Sequence, residues 1–268
     1  MPTGLQTVVF KWVPAATAKA VVVGVHGLAE HAGRYDHVGR FLAERGYALH
    51  MYDLRGHGRS QSVRGHVDRF EQFVEDTVAF VRLVKSEVGA KTFLLGHDMG
   101  ALIAVFAAAE LGEELAGLIT SGAAVEVAKV GVMTRLSLRL LGSVESISMR
   151  RAPTPIEAEL LSKDPSVVQQ YLGDPLVLKD ATVKLLVELG RASTRVRSAA
   201  KKVAVPALVL HGGDDRLVPP QASRKLYEAL ASADKTLRIY EGLRHEIFNE
   251  VEKEKVLSDV VDWLDKHV

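Results

Sequence analysis

The stretch LLGHDMGALIA, residues 94–104, constrains the fold of this chain more than any other. A short apolar run enters a turn bracketed by Gly96 and Gly100, and a run of small apolar residues leaves it. That pattern predicts a buried strand turning at once into a helix. Strand and helix then lie almost in contact, so the positions two before and two after the central residue must be small. The central residue takes strained backbone angles and projects from the strand's carboxyl end at the first turn of a helix, where free N–H groups favour negative charge. That residue is Asp98.

The rest of the chain provides a sheet for this strand. Segments 21–25, 48–52, 92–95, 115–120, 207–210 and 237–240 read as strands, the first an almost unbroken β-branched run suited to burial on both faces. Between them Phe70, Phe73, Val74, Thr77, Val78, Val81 and Val84 recur at helical spacing, as do residues 99–111 and finally Val256, Val260 and Leu264. This alternation predicts an α/β fold, a mostly parallel central sheet flanked by helices. The strand pattern lapses between about 123 and 200, where helical signals at Val132, Met133, Leu136, Leu140 and Leu141 mix with prolines at 153, 155, 165 and 175. The expectation is a core of 1–122 and 201–268 carrying a helical cap inserted at 123–200. A length of 268 residues accommodates one such unit.

Charge and composition remove several function classes. Lysine and arginine total 34 against 33 acidic residues, dispersed along the chain, so nucleic acid is not an expected partner. With Cys at zero, disulfides, thiol catalysis and cysteine metal sites are excluded. The 10 histidines lack metal-ligand spacing, so neither a metal nor a cofactor is expected. The N-terminal MPTGLQTVVFKWVPAAT lacks a basic region followed by an apolar core, and no run approaches the ~20 apolar residues of a membrane span. A soluble, cytoplasmic protein is the resulting expectation, with its oligomeric state open.

A strand, a Gly-x-x-x-Gly turn and a helix in this order describe the nucleophile elbow of the α/β-hydrolase architecture, in which an acid and then a histidine follow along the chain. Both are present. After the strand ending at 210 comes HGGDDRLV, where Asp215 is the chosen acid and Asp214 its rival. After the strand ending at 240 comes EGLRH, which places His245 in the next strand-end loop as general base, oriented by the acid. Backbone N–H groups of Leu28, after His26-Gly27, and of Met99, after the elbow residue, are the expected oxyanion donors.

The segments HGLAEHAGRYDHVGRFL, YDLRGHGRS, LLGHDMGA, LHGGDDRLVP and YEGLRHEIFNE, together with SKDPSVVQQYLGDPLV in the cap, span nearly the whole chain. In order and spacing they resemble the monoacylglycerol lipase family of α/β-hydrolase serine esterases. The resemblance implies hydrolysis of fatty acid glycerol monoesters in a lipophilic tunnel beneath the cap. It carries Asp215 and His245 over directly. The nucleophile does not carry over, because that family has serine where this chain has Asp98.

Three readings of Asp98 follow. A carboxylate attacking an ester forms an anhydride, far above the ester in energy, and is itself re-expelled. An otherwise intact lipase scaffold with Asp98 in place of serine, by divergence or by substitution, is therefore an impaired esterase, and this is the favoured reading. Aspartate is a competent nucleophile at saturated carbon, as in haloalkane dehalogenases and epoxide hydrolases. Against that alternative, Met99 stands where dehalogenases commonly place tryptophan, the oxyanion segment is His26-Gly27-Leu28-Ala29 without the proline of epoxide hydrolases, and Tyr171 is the sole tyrosine between 123 and 200. The third reading is a lipid-binding protein on a hydrolase scaffold. With Asp98 and Asp215 both beside His245, the imidazolium is favoured, so its pKa is expected to be raised.

Other polar residues have plainer readings. His97 is expected to be a packed structural residue. His26 can order the oxyanion loop or meet substrate, and His57 can tie loops together. Glu30 is a candidate contact for a glycerol head group, with a structural hydrogen-bonding role as its competitor. The cap segment VGVMTRLSLRLLG could touch a lipid surface transiently, although a helix covering the sheet edge would bury the same residues.

Overall fold

A computed structural model describes residues 4–125 and 145–268 of the chain. The helical signals between Val132 and Leu141 and the proposed lipid-contact segment lie outside the described residues. The strands are β1 (Val9–Trp12), β2 (Ala20–Val25), β3 (Tyr47–Tyr52), β4 (Thr92–His97), β5 (Gly117–Ser121), β6 (Arg151–Pro153), β7 (Asp180–Thr182), β8 (Ala207–Gly212) and β9 (Lys235–Tyr240). Among the described residues the α-helices are α1 (Asp36–Glu44), α2 (Glu71–Val88), α3 (Met99–Leu111), α4 (Glu145–Ser148), α5 (Pro165–Gly173), α6 (Val183–Ala200), α7 (Gln221–Ala229) and α8 (Lys253–Asp265). Seven strands form one sheet in the order β1-β3-β2-β4-β5-β8-β9, antiparallel only between β1 and β3.

Strands β2, β3, β4, β5 and β8 are buried along their whole length, as strands covered on both faces must be. Alternate residues feed separate cores. Val21, Val23 and Val25 join Leu94, Leu118 and Val209 on one face, beneath α2, α3, α6 and α7. Val22 joins Leu95, Ile119 and Leu208 on the other, beneath α1 and α8. Helix α3 is apolar on every side because the sheet covers one flank while α2 and α6 cover the others.

Two features differ from the sequence expectation. The segment from 123 to 200 contains strands after all, since β6 and β7 pair as an antiparallel ribbon with Arg151 opposite Thr182. Helix α6, at the end of that segment, packs Leu185, Leu189, Ala192 and Val196 into the core beside α3. The remainder, from 145 to 182, includes a smaller apolar cluster of Ala158, Leu161, Tyr171 and Val177, which reaches Leu217 of the core. Among the described residues no helix is long and apolar enough to cross a membrane.

Candidate active site

The elbow forms as the glycines require. A Cβ at Gly96 would stand 2.3 Å from the Gly100 carbonyl oxygen, and one at Gly100 would stand 2.2 Å from that of Val25. Between them Asp98 adopts φ 51° and ψ −116°, an unfavourable conformation for a side-chain-bearing residue. Its N–H donates to the Ser121 carbonyl at 2.9 Å, and its own carbonyl accepts from Ala101 N at 3.1 Å, so the backbone on both sides holds the strained angle.

The Asp98 carboxylate is committed on both sides. Oδ2 accepts from the Leu28 N–H at 2.9 Å, the donor expected to stabilise an oxyanion. Oδ1 stands 3.8 Å from Nε2 of His245, an ion-pair distance rather than a hydrogen bond. His245 lies in the loop after β9, and its Nδ1 meets Oδ2 of Asp215 at 2.7 Å. Asp215 lies in the loop after β8; its Oδ1 accepts from the backbone N–H groups of Leu217 and Val218, each at 2.9 Å. Its Oδ2 also lies 3.0 Å from Nε2 of His211. The rival Asp214 is exposed and pairs with Lys163 at 3.0 Å.

Charge in this cluster is strongly organised. Burial alone would lower the His245 pKa, but the charge and hydrogen bond of Asp215, then the charges of Asp98 and Glu246, outweigh it and push it up to about 9. Burial works against ionisation of Asp215 as well. The neighbouring imidazolium and hydrogen bonds from His211 and His245 nevertheless hold it well below the usual carboxylate range. His97 is driven down to about 4 by burial and by the charge of His245, and its Nδ1 faces the Ser121 hydroxyl at 3.3 Å. It is a neutral packing residue whose ring is tilted against that of His245, with centroids 4.9 Å apart.

His26 and Glu30 brace the loop that carries Leu28. Nδ1 of His26 donates to the Gly27 carbonyl at 2.9 Å while Nε2 accepts from Leu54 N at 2.9 Å, so both ring nitrogens are used by backbone and neither remains for a substrate. Burial and the neighbouring His57 hold its pKa well below the ordinary value, consistent with that neutral tautomer. Glu30 takes the Gly27 N–H at 2.6 Å and the Tyr35 hydroxyl at 2.8 Å on Oε1, and Arg34 at 3.0 Å on Oε2. It also borders the pocket above Asp98.

Three residues not singled out from the sequence complete the surroundings. Arg34 binds Glu246 through both guanidinium nitrogens at 2.5 and 2.7 Å. Its guanidinium lies 4.9 Å from the centre of the Tyr171 ring. Glu246 follows His245 directly, so adjacency was its only signal; Arg34 lay unremarked within HGLAEHAGRY. His211 opens the stretch HGGDDRLV, read from the sequence as following the strand, but it belongs to the end of β8, which turns it toward Asp215. The pocket itself runs from Asp98, His245 and Leu28 to Ile156, Leu161, Leu189 and Leu217, a polar floor under apolar walls.

A nucleophile-seat side chain, a histidine and a buried acid at the carboxyl edge of a mostly parallel sheet define the class: a hydrolase scaffold of the elbow type. A family model described as serine aminopeptidase, S33, matches residues 16–252. The chain belongs to this family and, within it, to the monoacylglycerol lipase-like α/β-hydrolases. It is 37% identical to a monoacylglycerol lipase of Mycolicibacterium smegmatis over 99% of this chain and 95% of that protein. It is 33% identical to human monoglyceride lipase over 94% of this chain and 84% of that protein. The crystal structure of Paleococcus ferrophilus monoacylglycerol lipase superposes with a TM-score of 0.87 at 30% identity, covering 98% of this chain and all of that one.

Proposed function

We propose that the chain is a monoacylglycerol lipase-like carboxylic ester hydrolase whose ester turnover is held down by Asp98. The observation that carries the reading is the position of that carboxylate, with Oδ2 on the Leu28 N–H and Oδ1 beside His245. Three consequences point the same way. Attack on an ester carbonyl would yield an anhydride, from which the carboxylate is expelled again. The donor that should receive the developing oxyanion already holds an anion. His245, pushed up to about 9, carries a proton near neutrality and is a poor base.

Apolar walls at Ile156, Leu161, Leu189 and Leu217 suit the acyl chain of a lipophilic ester, and the names of the relatives favour a fatty acid glycerol monoester. In this reading 123–200 is the cap over the site, anchored to the core by α6. Asp215 and His245 serve as acid and base, and Leu28 and Met99 donate to the oxyanion.

Asp98→Ser is the direct test, with a chromogenic short ester and a monoacylglycerol as substrates. Serine removes the anion from Leu28 and restores a nucleophile His245 can activate, so ester cleavage should rise on the order of 10³-fold. A folded Asp98→Ser protein with no gain on either ester overturns the proposal.

A further inference from the structure

Ester cleavage and displacement at saturated carbon ask different things of a nucleophile. An anhydride is a dead end, whereas an alkyl ester is a stable intermediate that water can cleave. Asp98 is oriented for the second case. Its Oδ2 is fixed by the Leu28 N–H, which leaves Oδ1 as the attacking atom and keeps the future carbonyl oxygen in the oxyanion site. His245, 3.8 Å from Oδ1, stands beside the nucleophile, where a water attacking that carbonyl would need its base.

The leaving group then decides the substrate class. In-line displacement sends it to the side of the carbon opposite Asp98, away from His245. A departing halide would need N–H donors there, and neither tryptophan borders this pocket among the described residues: Trp12 bonds Asp36, and Trp263 packs on Phe93. An epoxide oxygen needs a proton instead. Tyr171, brought by α5 into the wall of the same pocket, has its hydroxyl buried and without a hydrogen-bond partner among the described residues. A phenol left unpaired inside a site is costly unless something else uses it.

Building on the lipophilic pocket of the proposed function, we infer that this site opens an alkyl epoxide, with Asp98 as nucleophile and Tyr171 as the acid that protonates the epoxide oxygen. As the bond from Oδ1 to carbon forms, the carbon–oxygen bond of the ring breaks, and its electron pair takes the Tyr171 proton. Through water, the phenolate regains a proton from the His245 imidazolium. Asp98 is now an uncharged ester, so one of the anions that held His245 protonated is gone. Neutral His245 takes a proton from water, whose oxygen attacks the ester carbonyl. Collapse expels the alkoxide, which is protonated from His245, and the carboxylic acid of Asp98 returns its proton to the imidazole. The balance is epoxide plus water to diol.

His245→Gln blocks the second half, so it should accumulate a covalent adduct when mixed with a terminal alkyl epoxide. Intact-protein mass spectrometry should show the added mass of one epoxide, and peptide mapping should place it on Asp98. The unaltered chain should release diol. Tyr171→Phe should lower the saturating alkylation rate ~100-fold with little change in the half-saturating epoxide concentration, a split that a merely structural tyrosine would not produce. No adduct and no diol, or an adduct on another residue, overturns the inference, and an unchanged rate in Tyr171→Phe overturns the acid. If Asp98→Ser gains ester cleavage while the parent ignores epoxides, the inference fails and the proposed function stands. Epoxide opening without ester rescue in Asp98→Ser reverses that outcome.

Discussion

Asp98 sets the electrostatics of its neighbours because it is a second carboxylate within reach of one imidazole. Titration of His245 by NMR should find its pKa near 9, and Asp98→Ser should lower it by removing one of the anions. An unchanged value would show that Asp215 and Glu246 hold the proton without Asp98. The sign for stability follows from the raised folded value. The contribution of His245 is fully present below its unfolded pKa of 6.5 and is lost as pH rises through about 9, so denaturant midpoints should decline across that interval, less steeply in Asp98→Ser. At this scale the sequence was legible where geometry is forced by the chain. The elbow position of Asp98 and the loop position of His245 follow from strand ends, whereas spacing separates Asp215 from Asp214 only weakly, and it is the burial of one and the exposure of the other that tells them apart. For Glu30 and His26 the sequence left a loop-ordering role and a substrate role both open, because a buried polar side chain declares its partners only in three dimensions.

The elbow is the element whose failure would be most local in cause and most general in effect. Gly100→Ala places a methyl group 2.2 Å from the Val25 carbonyl oxygen and 2.4 Å from that of His26, both backbone atoms where β2 runs into the Gly27–Leu28 loop. Neither can rotate away. The expected cost is about 3 kcal/mol or more, read as a lowered urea midpoint, and a change below 0.5 kcal/mol would contradict the close packing of β2 on α3. Elements like β2, β4 and α3 were readable because burial on both faces writes a continuous apolar run. The ribbon of β6 and β7 was not. Each strand is three residues long, too short for a period, and Pro153 reads as a breaker. Strand β1 escaped for a related reason: VFKW at the sheet edge is only half buried and leaves a faint alternation.

Across the whole molecule, Arg34 joins parts of the chain that no local pattern relates. It neutralises Glu30, which holds the Gly27–Leu28 loop, and Glu246, beside His245, while its face covers Tyr171 from α5. Sequence separation hides such a network, since the Arg34–Glu246 contact spans 212 positions. Its removal should therefore be felt well beyond one side chain. Arg34→Leu leaves two buried carboxylates without their cation, for which a loss of roughly 3–5 kcal/mol is expected near neutral pH. The pH dependence distinguishes this cause from lost packing. Burial already raises the Glu30 pKa despite the opposing charge of Arg34, and without that charge both carboxyls should take protons in mild acid. The stability deficit of Arg34→Leu relative to the parent should then shrink as pH falls, whereas a packing defect would stay constant. Urea unfolding of both proteins at neutral and mildly acidic pH reads the difference, and a deficit independent of pH would remove Arg34 from its place as the shared counterion of the site.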